Sequence, residues 1–516
     1  MSANVPDVAP GDVVHAFFEC ARQNPDQPAI VHNGDTLSYA HLERLVRAMS
    51  LRLSSAPGVV GVLTSRSAGT IVGLLGVLAA GNTYCPIDPT FPIARQRALI
   101  SASGCRVVIN TRPGLTPPHG LPLVDIPDGG APVAQEQLTA SASEDPAYVL
   151  FTSGSTGEPK PVITSRAAIA VAVGSLRELF GLTPSDRVLQ FASLNWDTSF
   201  EEILPTITSG ATLVFDDEAY SGSFHRLLRM IAAERITVLD LPTAFWHELV
   251  HHLTEDHATM PSCVRVVVIG GETVSPAMLA DWRARGTHRI RLINTYGCTE
   301  TTLVTHAVDL HGPCAPSTGA WWGEAEKVPI GRPLPHVLEH ITETGELLVS
   351  GPSLALGYRG MPGPTRERFV VRYDGDRARR YFHTGDRVSR SVNGMLVHEG
   401  RLDHEIKVRG IRVNPGEVEA KIAEHPHIAA VAVVGVTVAN HTMMVAYIVP
   451  RSWAHVTTLV NDTFTHLRHR VPSHLVPSRI TVVPDLCYTA SGKVDRAASH
   501  QRHHPTITSR RASGEC

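Results

Sequence analysis

Between residues 59 and 297 two hydrophobic textures alternate. Short apolar runs rich in Val and Ile (VVGVLTS from Val59, CRVVIN from Cys105, AYVLFT from Ala147, RVLQFAS from Arg187, ATLVF from Ala211, TVLDLP from Thr237, VRVVVIGG from Val264, RIRLINTYG from Arg289) are separated by longer stretches such as TIVGLLGVLAAG, FHRLLRMIAAERI, TAFWHELVHHL and PAMLADWRARG. The runs predict strands and the stretches predict helices, an alternation that implies parallel sheets covered by helices. In such sheets sites gather at the carboxyl ends of strands. The segments LFTSGSTG, LDLPT, VIGGE and NTYGCTE all lie where a predicted strand runs into a loop, which predicts four converging site loops.

After Pro313 the texture becomes short, turn-punctuated strands with an Asn393-Gly394 hairpin signal, read as a small β-barrel. From Arg401 the order is strand, strand, helix (Pro415 following Asn414), strand, strand, helix, strand, read as a separate α+β domain. The expected fold class is therefore α/β: a large N-terminal domain over residues 1–402, a smaller mobile C-terminal domain over 403–498, and a disordered tail over 499–516.

Composition narrows the possibilities. The 516 residues carry 46 Lys plus Arg against 49 Asp plus Glu, a net charge of -3, so no global basic field points to nucleic acid or anionic membrane. The eight cysteines lack CxxC spacing and read as reduced thiols, which argues for the cytoplasm, and the N-terminus lacks signal-peptide features. The most apolar run, Thr70–Gly81, is shorter than the roughly 20 residues a membrane span needs. The 27 histidines show no HExxH or clustered ligand spacing and read as surface residues.

The stretch LFTSGSTGEPKPV, Leu150 to Val162, concentrates backbone and hydroxyl donors as an anion-binding loop would. It is not a Walker A motif, because Lys160 stands between Pro159 and Pro161 where that motif needs Gly-Lys-Ser/Thr entering a helix. TSGSTGEPKP resembles the phosphate-binding signature of the adenylate-forming enzymes: acyl-CoA synthetases, luciferases and the adenylation domains of nonribosomal peptide synthetases. LSYAHL, LAAGNTYCPIDP, NWDTSFEE, NTYGCTE, GELLVSGPSLALGY, HTGD, GRLDHEIKVRGIRVNPGEVE and ASGKVDR resemble that superfamily's other motifs in order. The AGNTYCPIDP and GRLDHEIKVRG forms are most similar to amino-acid-activating adenylation domains.

That resemblance implies a role for each matching residue. Thr152, Ser153, Gly154, Ser155, Thr156, Gly157 and Lys160 would hold the leaving phosphates of ATP. Gly271, Asn294, Tyr296, Gly297, Thr299, Asp386 and Arg401 would complete the nucleotide site, with Tyr296 at the adenine and Asp386 and Arg401 at the ribose. Glu300 would hold Mg²⁺, Lys493 would bridge the substrate carboxylate and the α-phosphate, and Asp403 would be the hinge. The substrate pocket would be lined by Asp197, Thr198, Glu201, Asp240, Val268, Gly270, Thr295, Leu303 and Val304. Asp197 would take the substrate's amino group. The further carboxylates of Glu201 and Asp240 then call for a cationic side chain, with lysine or β-lysine favoured over ornithine or arginine. Pro161, Cys298, Arg166 and Ala167 depart from the usual pattern, and Cys298 is read as a packed turn residue. The resemblance implies a free-standing enzyme that loads the phosphopantetheine of a separate carrier protein in peptide-antibiotic or related synthesis, in some cases with an MbtH-like partner. An acyl-CoA ligase of the same fold and a noncatalytic nucleotide-binding regulator are the alternatives.

Overall fold

The structure, a computed structural model, describes residues 12–504 except 56, 113, 115–119, 129–141, 154–158, 316–326, 375–376, 404, 409, 439–440, 453–455 and 490–493. The chain divides into two compact units, one comprising residues 1–152 and 159–403 and the other 153–158 and 404–516.

The larger unit is built on two sheets with parallel centres. A seven-stranded sheet runs in the order Gly357–Tyr358, Lys160–Ser165, Pro146–Thr152, Thr83–Ile87, Val59–Leu63, Cys105–Asn110, Leu123–Asp125. Val59–Leu63 and Thr83–Ile87 are buried at every position, as central parallel strands covered on both faces must be. The helix Ala68–Ala79 is buried from Thr70 onward. Its Gly76 lets the helix sit directly on Met49, whose Cγ would lie 2.4 Å from any added Cβ. The apolar run therefore forms a core helix.

The nine-stranded sheet positions the site. Val238–Pro242, Val266–Gly270 and Arg291–Gly297 are consecutive parallel neighbours, and Val304–His311 returns antiparallel beside the last. Asp240 pairs with Val268 and Val268 with Ile293, while Pro242 pairs with Gly270 and Gly270 with Thr295. Side chains two apart on a strand share a face, so Asp240, Val268, Gly270 and Thr295 lie on one face at the carboxyl ends. All four loop segments singled out in the sequence leave strand ends, at Thr152, Pro242, Gly270 and Gly297.

Two expectations need correction. The strands read as a barrel form a five-stranded antiparallel sheet, ordered Leu338–Ile341, Glu346–Ser350, Arg377–Arg390, Phe369–Asp374, with Leu396–Arg401 also paired to Arg377–Arg390. Among the described residues its outer strands do not pair with each other, and the long strand Arg377–Arg390 pairs with three others along its length. Second, the expected tail is helical at its start, because Arg496–His503 forms a helix N-capped by Asp495. Residues 505–516 lie outside the described residues.

In the smaller unit the hairpin Ile406–Val408/Ile411–Val413 accompanies a three-stranded sheet, Ile428–Val438, His441–Pro450 and Arg479–Val482. Pro415 starts the helix Pro415–Ala423 at its first position, and the Asn414 side chain caps it by accepting from the Gly416 N–H. No helix of either unit is long and apolar enough to cross a membrane among the described residues.

Candidate active site

The site is assembled on the larger unit from the helix Thr198–Ile207 and the strand ends above. Asp197 occupies the N-cap position of that helix but makes no capping bond with its side chain. Its carboxyl meets the Thr299 hydroxyl instead, while burial and the nearby Glu300 carboxylate oppose ionisation. Burial is the larger effect and the carboxyl is pushed up to about 6.

Glu201 lies one helical turn beyond Asp197 on the same face. Like charges four apart on a helix repel, and here a third acid, Asp240, faces them from the sheet. Burial, then Asp240, then Asp197 hold the Glu201 carboxyl well above the usual carboxylate range. Burial pushes Asp240 up to about 7. Asp240 is 6% exposed, and its Oδ2 is buried without a hydrogen-bond partner. Among the described residues no cation pairs with Glu201 or Asp240. Burying acids without a counter-charge costs stability.

Glu202, next in sequence, is likewise held well above the usual carboxylate range by burial and then Asp240, but its carboxyl has hydrogen-bond partners. Its carboxylate accepts from the Phe191 and Ala192 backbone N–H groups at 2.9 Å and from Gln190 Nε2 at 2.9 Å. It pins the loop entering the helix and so orients Asp197 and Glu201. The sequence reading gave it no role.

The segment after Arg291–Gly297 is tightly folded. Thr299–Thr301 is one turn of 3-10 helix, entered through Cys298, whose Sγ lies 3.3 Å from Thr301 Oγ1, the packed turn position expected for it. Thr302 and Leu303 both adopt left-handed backbone, φ 60° and 64°, which costs non-glycine residues free energy and clusters at functional sites. Gly297 makes the turn possible, because a Cβ there would stand 1.9 Å from the Leu303 carbonyl oxygen.

Glu300 is 1% exposed and accepts a 2.9 Å hydrogen bond from the Tyr358 hydroxyl. The Lys160 ammonium sits 5.5 Å from the centre of the same ring. Lys160 opens its strand opposite Thr152, so Tyr358 links Lys160 to the acid of the 3-10 turn. Tyr358 closes the GELLVSGPSLALGY segment, but nothing in that segment marks it as a link. Tyr358→Phe keeps the ring and removes the hydroxyl, so kcat/KM for the expected adenylate formation should fall about 10- to 150-fold, the worth of roughly 1.5 to 3 kcal/mol for a hydrogen bond to a charged group. Pyrophosphate-exchange kinetics beside an unchanged Tm would verify it.

Asp386 is 4% exposed and accepts from Tyr296 Oη at 2.6 Å and Arg401 at 2.8 Å, with His398 at 3.1 Å. The residues expected at adenine and ribose thus form one hydrogen-bonded unit. Arg401 also holds Asp403 through two bonds, of 2.6 and 2.7 Å, and Arg368 holds it at 3.2 Å. Asp403 is the last residue of the larger unit.

Two of the remaining candidates brace the strands that carry these groups. Asn294 donates to the Pro329 carbonyl and Thr295 to the Ile269 carbonyl, so both brace the strand ends. Gly270 has no room for a side chain, since a Cβ would lie 2.6 Å from Thr295 Oγ1, and Gly271 has φ 87°. Val268, Leu303 and Val304 are buried, Thr198 is half-buried, and Thr152 and Ser153 are buried. Gly154, Ser155, Thr156, Gly157 and Lys493 lie outside the described residues. Arg166, a departure from the usual pattern, is a structural residue, pairing with Asp12 at 2.9 Å and donating to the Leu78 carbonyl.

Comparison with known proteins supplies the family. Residues 17–359 match the model of the AMP-binding enzymes, and residues 417–493 match the AMP-binding enzyme C-terminal domain. The chain belongs to the AMP-binding enzyme family. This adenylate-forming ligase is 39% identical over 499 residues to the isonitrile lipopeptide synthase of Streptomyces coeruleorubidus, covering 94% of this chain and 33% of that one. The ligase therefore spans about a third of that relative's length. Among solved structures it is similar to an NRPS protein containing adenylation and PCP domains, bound to a vinylsulfonamide inhibitor (TM-score 0.80, 26% identity, 96% of this chain and 85% of that one). It is also similar to a malonyl-CoA ligase complex (TM-score 0.75, 26% identity, 90% and 97%).

Proposed function

We propose that this ligase activates an amino acid with a cationic side chain, of the lysine or β-lysine type, as its aminoacyl-adenylate and then passes the acyl group to the phosphopantetheine thiol of a carrier protein. The observation that carries the reading is the group of three carboxyls, Asp197, Glu201 and Asp240, in which Glu201 and Asp240 have no cation partner among the described residues. Asp197, beside Thr299, suits the substrate's amino group, and Glu201 with Asp240 suits the distant ammonium.

In the first step a substrate carboxylate oxygen forms a bond to the α-phosphorus of ATP while the bond to the bridging oxygen breaks and pyrophosphate leaves. Such a reaction needs positioning and charge neutralisation more than covalent help. Lys160 supplies a positive charge for the phosphates, and Thr299 ties the adjoining turn to Asp197 through its hydroxyl. Glu300, an all-oxygen donor beside the Tyr358 hydroxyl, fits a hard cation, and Mg²⁺ held there would neutralise phosphate charge. Asp386 with Arg401 is assigned to the ribose and Lys493 to the substrate carboxylate. In the second step the carrier thiolate bonds to the acyl carbon and AMP leaves. The resemblance to an adenylation–PCP protein supports a carrier as acceptor, and an MbtH-like protein is a candidate partner.

The malonyl-CoA ligase likeness favours a second reading, an acyl-CoA ligase. Such an enzyme has no use for Asp197.

The acids give the reading a pH signature. Asp240 titrates near 7 and Glu201 is raised as well, so the substrate-free pocket holds protons that a bound ammonium must displace. KM for the basic amino acid should therefore rise as pH falls below about 7, by roughly tenfold per unit for each proton taken up. Calorimetry of binding in buffers of different ionisation enthalpy should register proton release. A KM flat from pH 6 to 8 would count against paired acids in the pocket.

A further inference from the structure

We propose a second site on the larger unit, a binding site for a zinc-class divalent cation formed by His225, His252 and Asp256. His225 lies in the first turn of the helix Phe224–Ala233, His252 in the last turn of Thr243–Glu255, and Asp256 is the residue that ends the latter. No sequence motif joins them. The packing of two helices brings 225 to 252 and 256.

One ligand atom from each residue lies within 4.8 Å of the others. His252 Nδ1 is 3.1 Å and His225 Nε2 3.8 Å from Asp256 Oδ2. Zinc bonds of roughly 2.0 to 2.1 Å in a tetrahedron put neighbouring ligand atoms about 3.3 Å apart. Two edges of that tetrahedron therefore already exist to within about half an ångström, and rotation of His225, 69% exposed, closes the third. Two imidazoles and one carboxylate with an open fourth position are a zinc-type donor set.

The surroundings favour a cation. His252 is held in place by the Phe224 ring stacked on it at 5.2 Å and by Asp256 on its Nδ1. Asp256 ends its helix, where the exposed carbonyl groups carry partial negative charge. The Nε2 of His252 is buried without a partner, so the metal-free ring keeps its proton on Nδ1, facing Asp256. A cation taking Nδ1 moves that proton to Nε2 and leaves one buried N–H unpaired, a cost that keeps affinity below that of a closed structural zinc site. The bound ion staples the two helices together and, binding the folded protein alone, stabilises it.

The test compares the full chain with the His225→Ala/Asp256→Asn variant, both stripped with EDTA and then dialysed against Zn²⁺. The variant changes exposed side chains, and His225→Ala alone serves as a second, milder variant. The chain carries 27 histidines, so the quantity that decides is the difference between proteins. The expected result is one equivalent more zinc on the wild-type chain than on either variant, a zinc-dependent rise in Tm confined to the wild type, and tetrahedral cobalt absorption in the wild type alone. Equal stoichiometry and equal Tm response in all three proteins would overturn the site.

Discussion

Glu201→Gln combined with Asp240→Asn is expected to lower kcat/KM for lysine-type substrates by two to three orders of magnitude. A bound ammonium deep in the pocket would lose both counter-charges, and leaving a buried charge uncompensated costs about 3 to 5 kcal/mol. The same variant should be more stable than the parent in the absence of substrate. The sign follows from linkage: Asp240 is raised from 3.8 to about 7 in the folded protein, so the native state binds protons more tightly than the unfolded state. Stability therefore declines as pH rises from about 4 through 7, and at pH 8 the two acids weigh against folding. Removing them lifts that burden, so Tm at pH 8 should rise by a few degrees while activity collapses. Tm and exchange rate measured on one preparation check both halves. A fall in Tm would mean that these acids are structural.

Asp197→Asn carries the second large effect. If Asp197 binds the substrate's ammonium, the variant should lose about two orders of magnitude in kcat/KM, within the roughly 2 to 5 kcal/mol that removing one partner of a buried charge pair costs. The loss should be seen with every amino acid that the enzyme accepts, because the α- or β-amino group is common to all of them. A simple carboxylic acid without an amino group should be processed equally by parent and variant. Unchanged activity of the variant toward its best substrate would favour the acyl-CoA ligase reading. The two sets of variants separate recognition of the amino group from recognition of the side chain, since Glu201 and Asp240 should matter only for cationic substrates.

The parts of this structure that could be read from the sequence are those set by local pattern. Val59–Leu63 and Val266–Gly270 are runs of β-branched residues buried on both faces, and such runs announce a central parallel strand. The helix start at Asn414-Pro415 follows from capping chemistry over adjacent residues. The site loops were legible because they follow strand ends. The barrel was misread because turn spacing reveals short antiparallel strands but not whether the outermost two meet. The start of the tail was misread because its helix depends on the Asp495 cap, in a segment whose composition gives little sign of burial.

Within the site, residues that act through partners distant in sequence were the ones missed. Tyr358 matters through Lys160 and Glu300, 198 and 58 positions away. Glu202 differs from Glu201 in the three donors that meet its carboxyl, while burial and Asp240 oppose ionisation of both. The pairing of Asp240 with the Glu201 helix is a property of strand order, and the strand order is a property of the whole sheet. The histidines read as surface residues include His225 and His252, whose relation to each other exists only after two helices pack.

The most direct test of the carboxylate pocket is amino-acid-dependent ATP–pyrophosphate exchange by the purified chain across the standard amino acids, β-lysine and ornithine, with and without an MbtH-like protein. The strongest exchange is expected with lysine, β-lysine or another basic amino acid. Exchange confined to neutral amino acids would contradict the carboxylate pocket as the substrate's side-chain site.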